Sequence, residues 1–87
     1  MHASVTLLYF AWLREKVGVG QEQYALPDGV RSVAGLVGAL RQRGPAFAAA
    51  FESTGVIRAA VNQVFAKPDD AVAPGDEIAF FPPVTGG

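Results

Sequence analysis

The sequence predicts one α+β domain: a mixed sheet of four to five strands, one main helix across one face, and short helical turns. Three observations lead there. A continuous apolar, β-favouring run fills residues 5–10, and a second run rich in strand formers fills residues 78–81. Between them Val33, Leu36, Val37 and Leu40 recur at i, i+3, i+4 and i+7, the period of an amphipathic helix. A single such helix covers only one side of a sheet.

Each element follows from local chemistry. Residues 5–10 read as a central strand buried at least in part on both faces. Residues 11–17 place Leu13 and Val17 at i, i+4 with Glu15 and Lys16 exposed between them, and Gly18 closes this short helical turn. Residues 23–26 alternate, with Tyr24 and Leu26 on one face, and Pro27-Asp28-Gly29 ends a second strand paired to the first. Ser32 is a good N-cap for the main helix. Arg41 and Arg43 fall in its last turn, where cations favour the dipole, and Gly44-Pro45 stops it. Gly35 and Gly38 each cost about 1 kcal/mol relative to Ala, which is accounted for if the helix sits close against the sheet. Phe47 and Phe51, at i, i+4 after Pro45, predict a second short helix capping one edge of the core.

Strands return at residues 57–61 and 64–66 around an Asn62-Gln63 turn, Asn being able to adopt the left-handed conformation. Lys67-Pro68-Asp69-Asp70 is a surface turn, and Pro74-Gly75-Asp76 leads into the last strand. The order is β-β-α-β-β, with the final strand carrying the chain's end. The first and last strands then lie parallel in the middle, joined through the helix by a long crossover. That arrangement is the β-grasp, with residues 1–81 as the domain and residues 82–87 as a projecting tail.

Composition narrows the function. Eighty-seven residues, 51% apolar and 17% charged, make one folded domain rather than a disordered chain. A net charge of −1 without a stripe of Lys and Arg argues against nucleic-acid binding. With no cysteine there is no disulfide framework, thiolate metal site or cysteine nucleophile. No apolar stretch approaches a membrane span and no leader pattern opens the chain, so a cytoplasmic, membrane-free location is expected.

The tail is the most pointed feature. Pro82 and Pro83 have no N–H to give a neighbouring strand, so the sheet ladder cannot continue past Phe81. They also favour an extended polyproline II exit, and residues 82–87 at roughly 3.1 Å each reach about 19 Å. Gly86 and Gly87 lack Cβ atoms and fit a narrow channel. Chain ends are usually frayed, and a terminal Gly-Gly alone more often means that than a function, so on physics alone the tail is a projecting, narrow end.

Elsewhere the residues offer no reaction centre. His2 is the only histidine and stands at the second position. Asp28, Asp69, Asp70, Asp76 and Glu77 lie in or beside turns and read as turn formers rather than an acid–base pair. Ser4, Ser32 and Ser53 have no base at a recognisable spacing, and Gly18-Val19-Gly20 lacks the flanks of a phosphate loop. Trp12 is most simply a partly buried helix anchor, with an interface role as the second reading. There remains the α-carboxylate of Gly87, ionised and a poor electrophile until a partner adenylates it. The resulting mixed anhydride is open to a sulfur or nitrogen nucleophile.

Residues 75–87, Gly-Asp-Glu-Ile-Ala-Phe-Phe-Pro-Pro-Val-Thr-Gly-Gly, resemble the C-terminal signature of the molybdopterin synthase small subunit, a ubiquitin-like sulfur carrier family. Residues 9–15, Tyr-Phe-Ala-Trp-Leu-Arg-Glu, and Ala60-Val61-Asn62-Gln63 are similar to the same family's pattern, while residues 47–55 match loosely. The resemblance implies a ubiquitin-like β-grasp with no bound cofactor or metal. It implies that an E1-like adenylyltransferase uses ATP to adenylate Gly87 and that a persulfide donor makes the end a thiocarboxylate. The tail then enters the synthase large subunit, in a heterotetramer, and gives its sulfur to precursor Z, the cyclic pyranopterin monophosphate, in molybdenum cofactor biosynthesis. Phe81, Pro82, Pro83, Val84, Thr85 and Gly86 become the expected partner-binding residues. Strand alternation sets Ile78 and Phe80 against Ala79 and Phe81; if the first pair faces the helix, Phe81 is a docking aromatic, and otherwise it is core. Carriers for thiamine or cysteine synthesis, a ubiquitin-like protein modifier and an inert interaction module stay open as alternatives.

Overall fold

The computed structural model describes residues 3–52 and 57–82. In chain order these form β1 (Ser4–Tyr9), α1 (Trp12–Val17), β2 (Gln21–Ala25), α2 (Val33–Arg41), α3 (Pro45–Ala50), β3 (Arg58–Val61), β4 (Val64–Ala66) and β5 (Glu77–Phe81). The strands make one mixed sheet ordered β2-β1-β5-β3-β4. β1 and β5 run parallel, and the other neighbouring pairs are antiparallel. This is the β-grasp that the order of elements predicts, with the last strand at the centre of the sheet.

Alternation along the strands decides which face meets the helices. Val5, Leu7 and Tyr9 of β1, Ile78 and Phe80 of β5 and Ala59 of β3 are buried together with Leu13, Val33, Leu36, Leu40, Ala50 and Phe51. The residues between them, Thr6, Leu8, Ala79 and Phe81, are only half-buried. At the middle of the core Phe80 lies 5.1 Å from Phe51 and 6.2 Å from Tyr9 between ring centroids, and Phe47 meets Tyr9 edge-on at 6.1 Å. Such pairs add about 0.5–1.5 kcal/mol each beyond the area they bury.

The start of α2 is closed by hydrogen bonds. Ser32 Oγ accepts from Gly35 N at 3.0 Å, Val33 N donates to the Asp70 carbonyl and Ala34 N to the Pro68 carbonyl, while Leu36 N returns to Ser32 O. With its first four N–H groups satisfied, this helix end has no donor free for a phosphate.

Two local expectations are corrected. Arg43 lies beyond α2, which ends at Arg41, and its guanidinium grips the Glu22 carboxylate of β2 at 2.7 and 3.1 Å. Tyr9 donates to the same carboxylate at 2.8 Å, and Arg43 also lies over the Phe47 ring at 4.4 Å. The glycines of α2 do not serve a close approach to the sheet. A Cβ on Gly35 would meet the helix's own cap, Ser32 Oγ, at 3.3 Å, and one on Gly38 would meet nothing within 4 Å.

Two outcomes are expected. Replacing the exposed Gly38 by Ala removes backbone entropy without a clash, so G38A gains about 1 kcal/mol and melts about 4–8 °C higher, as calorimetry will read. Burial pushes the Glu22 carboxyl up, but the Arg43 and Tyr9 hydrogen bonds and the Arg43 charge outweigh it and hold the group below its ordinary value of 4.5. A depressed folded pKa makes Glu22 stabilising above 4.5, and that contribution drains away as pH falls through the lower folded value. Urea titrations from neutral pH down through this window should therefore fall less steeply for Glu22→Gln than for the parent.

Candidate functional site

β5 leaves the sheet where its sequence says it must. Phe10 N donates to the Phe80 carbonyl at 3.1 Å, Phe81 pairs with Arg58 of β3, and Pro82 follows with no N–H to extend the ladder. Pro82 is half-buried; Pro83, Val84, Thr85, Gly86 and Gly87 lie outside the described residues, as do His2 and Ser53. Beside this exit Phe10 is 49% and Trp12 38% exposed. Trp12 is therefore exposed rather than the partly buried anchor expected of it, because Leu13 takes the buried side of α1. Ala11, which joins β1 to α1, holds φ 56°, ψ −135°, a strained conformation for a residue with a Cβ.

Phe81 faces away from the helices, because Ile78 and Phe80 take the core side. It is not alone there. The register sets Leu8, Ala79, Ala60 and Phe65 in one row across β1, β5, β3 and β4, on the face that the core does not use. Phe65 is 80% exposed, and its ring lies 5.9 Å from that of Phe81. The small side chain of Ala60 leaves room for the two rings to meet over β3. Arg58, directly across from Phe81, puts a cation at the exit end of this face, and Glu77, beside Thr6, puts an anion at the other.

Phe65 was not among the residues the sequence marked, although a signal existed. A two-residue Asn62-Gln63 turn forces Val61 opposite Val64 and therefore Ala60 opposite Phe65.

The geometry contains no reaction centre among the described residues. Among those residues no cluster of three or more His, Cys, Asp or Glu can hold a metal ion, and no helix is long and apolar enough to cross a membrane. Asp70 and Asp76 are used as turn formers, accepting from Lys67 N and Ala73 N at 2.8 Å each. A hollow of about 400 Å³ between α2 and the sheet is lined by Val33, Val37, Phe51, Ile57 and Phe80, with Arg41 as its ionisable residue. The tyrosine hydroxyl of Tyr9 is pushed up by burial and by its bond to Glu22, so it stays protonated. What the surface can do is bind: it offers an aromatic patch on an uncovered sheet face, beside a strand that ends in proline.

Comparison with known proteins places this architecture. The ThiS family profile matches residues 7–87, and the chain belongs to that family. Molybdopterin synthase sulfur carrier subunits from Haemophilus influenzae and Escherichia coli are 42% and 41% identical to it, each over 95% of this chain and 99% of the relative. Among solved structures, small archaeal modifier protein 1 of Haloferax volcanii superposes with a TM-score of 0.73 at 30% identity, over 94% of this chain and 99% of that one.

The turn beside the patch carries strain that can be measured. Asn62 and Gln63 both have positive φ, 51° and 71°. Asn tolerates this, whereas Gln is disfavoured there by about 1–2 kcal/mol. Gln63→Gly restores the favoured Asn-Gly pair, and its unfolding midpoint in urea should rise, by up to about 1 kcal/mol of stability.

Proposed function

We propose that this chain is the sulfur carrier subunit of molybdopterin synthase and that Gly87 carries the sulfur. The observation that supports this reading best is the agreement, across nearly the whole chain, with subunits of that name from two bacteria. The fold adds a physical reason. Its described residues form a scaffold without a catalytic centre, and its central strand ends against a proline beside exposed aromatics.

In this reading an E1-like adenylyltransferase joins the Gly87 carboxylate to AMP from ATP, releasing pyrophosphate. A persulfide attacks the acyl carbon and expels AMP with one carboxylate oxygen, and a thiol then cleaves the S–S bond to leave sulfur on Gly87. ATP is consumed by the activating enzyme and is not a resident cofactor of this chain. Residues Pro82 to Gly86 thread the large subunit's channel, and Phe81 with Phe65 docks against the partner outside it, burying aromatics that are costly to leave in water. A heterotetramer of two small and two large subunits is the expected assembly. The acceptor is the cyclic pyranopterin monophosphate, and water cleaves the acyl–sulfur bond as the sulfur passes to it, so that the water oxygen restores the Gly87 carboxylate.

Intact-mass spectrometry tests this. Incubation with the activating enzyme, ATP and a persulfide donor should raise the mass by the difference between one sulfur and one oxygen, and a chain lacking Gly87 should not change. An unchanged mass for the full chain would sink the reading. Resemblance to an archaeal modifier protein supports a second reading, conjugation of Gly87 to lysines of other proteins. Higher-mass conjugates that vanish with Gly87 would favour it.

A further inference from the structure

Asn62 does more than make a turn. The β3–β5 ladder pairs Val61 with Ile78 and Ala60 with Ala79, so the next pair in register is Asn62 with Glu77. Asn62 N donates to the Glu77 carbonyl at 2.8 Å, as a continuing ladder requires. Its main-chain carbonyl cannot return the bond, because φ of 51° has already turned the chain into the hairpin. The side chain does so instead: Glu77 N donates to Asn62 Oδ1 at 2.9 Å. The other half of the amide, Nδ2, donates to Asp76 Oδ1 at 3.0 Å, and Asp76 is itself fixed by Ala73 N on its second oxygen.

The hairpin is thereby bolted to the start of β5 at its one sharp bend. β4 needs such a fixture. It is three residues long, lies at the sheet edge and pairs only with β3. Phe65 sits on it, exposed, and reaches Phe81 from the far side of β3. A small rotation of the hairpin about β3 separates the rings.

We propose that Asn62, held by Asp76, is a positioning residue for partner docking: it locks the β3–β4 hairpin onto β5 so that Phe65 and Phe81 present one aromatic surface. This rests on the reading of that surface as the docking face for the large subunit. Asn is the fitting residue on two counts, since it accepts the left-handed conformation and carries a donor and an acceptor in one plane. Asp at this position keeps the backbone conformation but sets a carboxylate against Asp76. Exchanging the pair, with Asp at 62 and Asn at 76, restores every hydrogen bond.

The test is calorimetric titration of the full chain with the molybdopterin synthase large subunit of the same organism, well below the melting temperature. Asn62→Asp should bind about tenfold more weakly, the scale of a displaced hot-spot contact, and lose the nuclear Overhauser contact between the Phe65 and Phe81 rings. The Asn62→Asp/Asp76→Asn double exchange should recover both. Ser32→Ala, which removes the distant α2 cap, should lower the melting temperature and leave affinity unchanged, separating positioning from general loss of stability. Should Asn62→Asp fail to fold, Asn62→Gly retains the turn and deletes only the side-chain bonds, and the same weakening is expected. Parental affinity in Asn62→Asp or in its Gly substitute, or no recovery in a folded double exchange, overturns the proposal while Phe65→Ala still weakens binding. Unchanged binding by Phe65→Ala instead removes the docking reading beneath it.

Discussion

The parallel pairing of β1 with β5 is the constraint on which everything else depends. It places Ile78 and Phe80 against Leu7 and Tyr9 at the centre of the sheet and closes a chain whose two ends are far apart in sequence. Because side chains alternate, the same five residues must also supply the outer face. One strand thus holds the core with Ile78 and Phe80 and offers Phe81 outward. The next residue, Pro82, has no N–H and ends the pairing.

Much of this was legible in order of locality. The Ser32 cap, the Gly18 stop, the turn at Asp76 and the two faces of β5 are dictated by neighbours in sequence, and the structure has them where local chemistry puts them. Arg43 was misread because a cation near a helix end has a local explanation, whereas its partner Glu22 is 21 residues away and is brought near only by folding. Gly38 was misread for the opposite reason: glycine in a helix suggests close packing, but its side faces open space. Phe65 was half legible, since the turn gives its register yet not that Ala60 leaves space for its ring to meet Phe81.

The division of labour in the molecule follows its chemistry. A partly exposed polar clasp, Tyr9 with Glu22 and Arg43, ties β1, β2 and the loop after α2 together. Reactive groups are not held in the folded body among the described residues. Membership of the ThiS family is compatible with that economy, in which the proposed sulfur chemistry would belong to Gly87 and to the enzymes that handle it.

The brevity of β4 has a further consequence. An exposed aromatic on an edge strand is ordinarily an invitation to strand addition, because an unpaired edge offers N–H and C=O groups in a row to any extended chain. Here the row is three residues long and is followed at once by Lys67 and Pro68, a charge and a residue with no N–H. A second copy of the chain meets an adhesive face but finds too little backbone to zip along. Stickiness at this edge is confined to side chains, whose shape selects the partner, and strand addition along β4 has little backbone to follow.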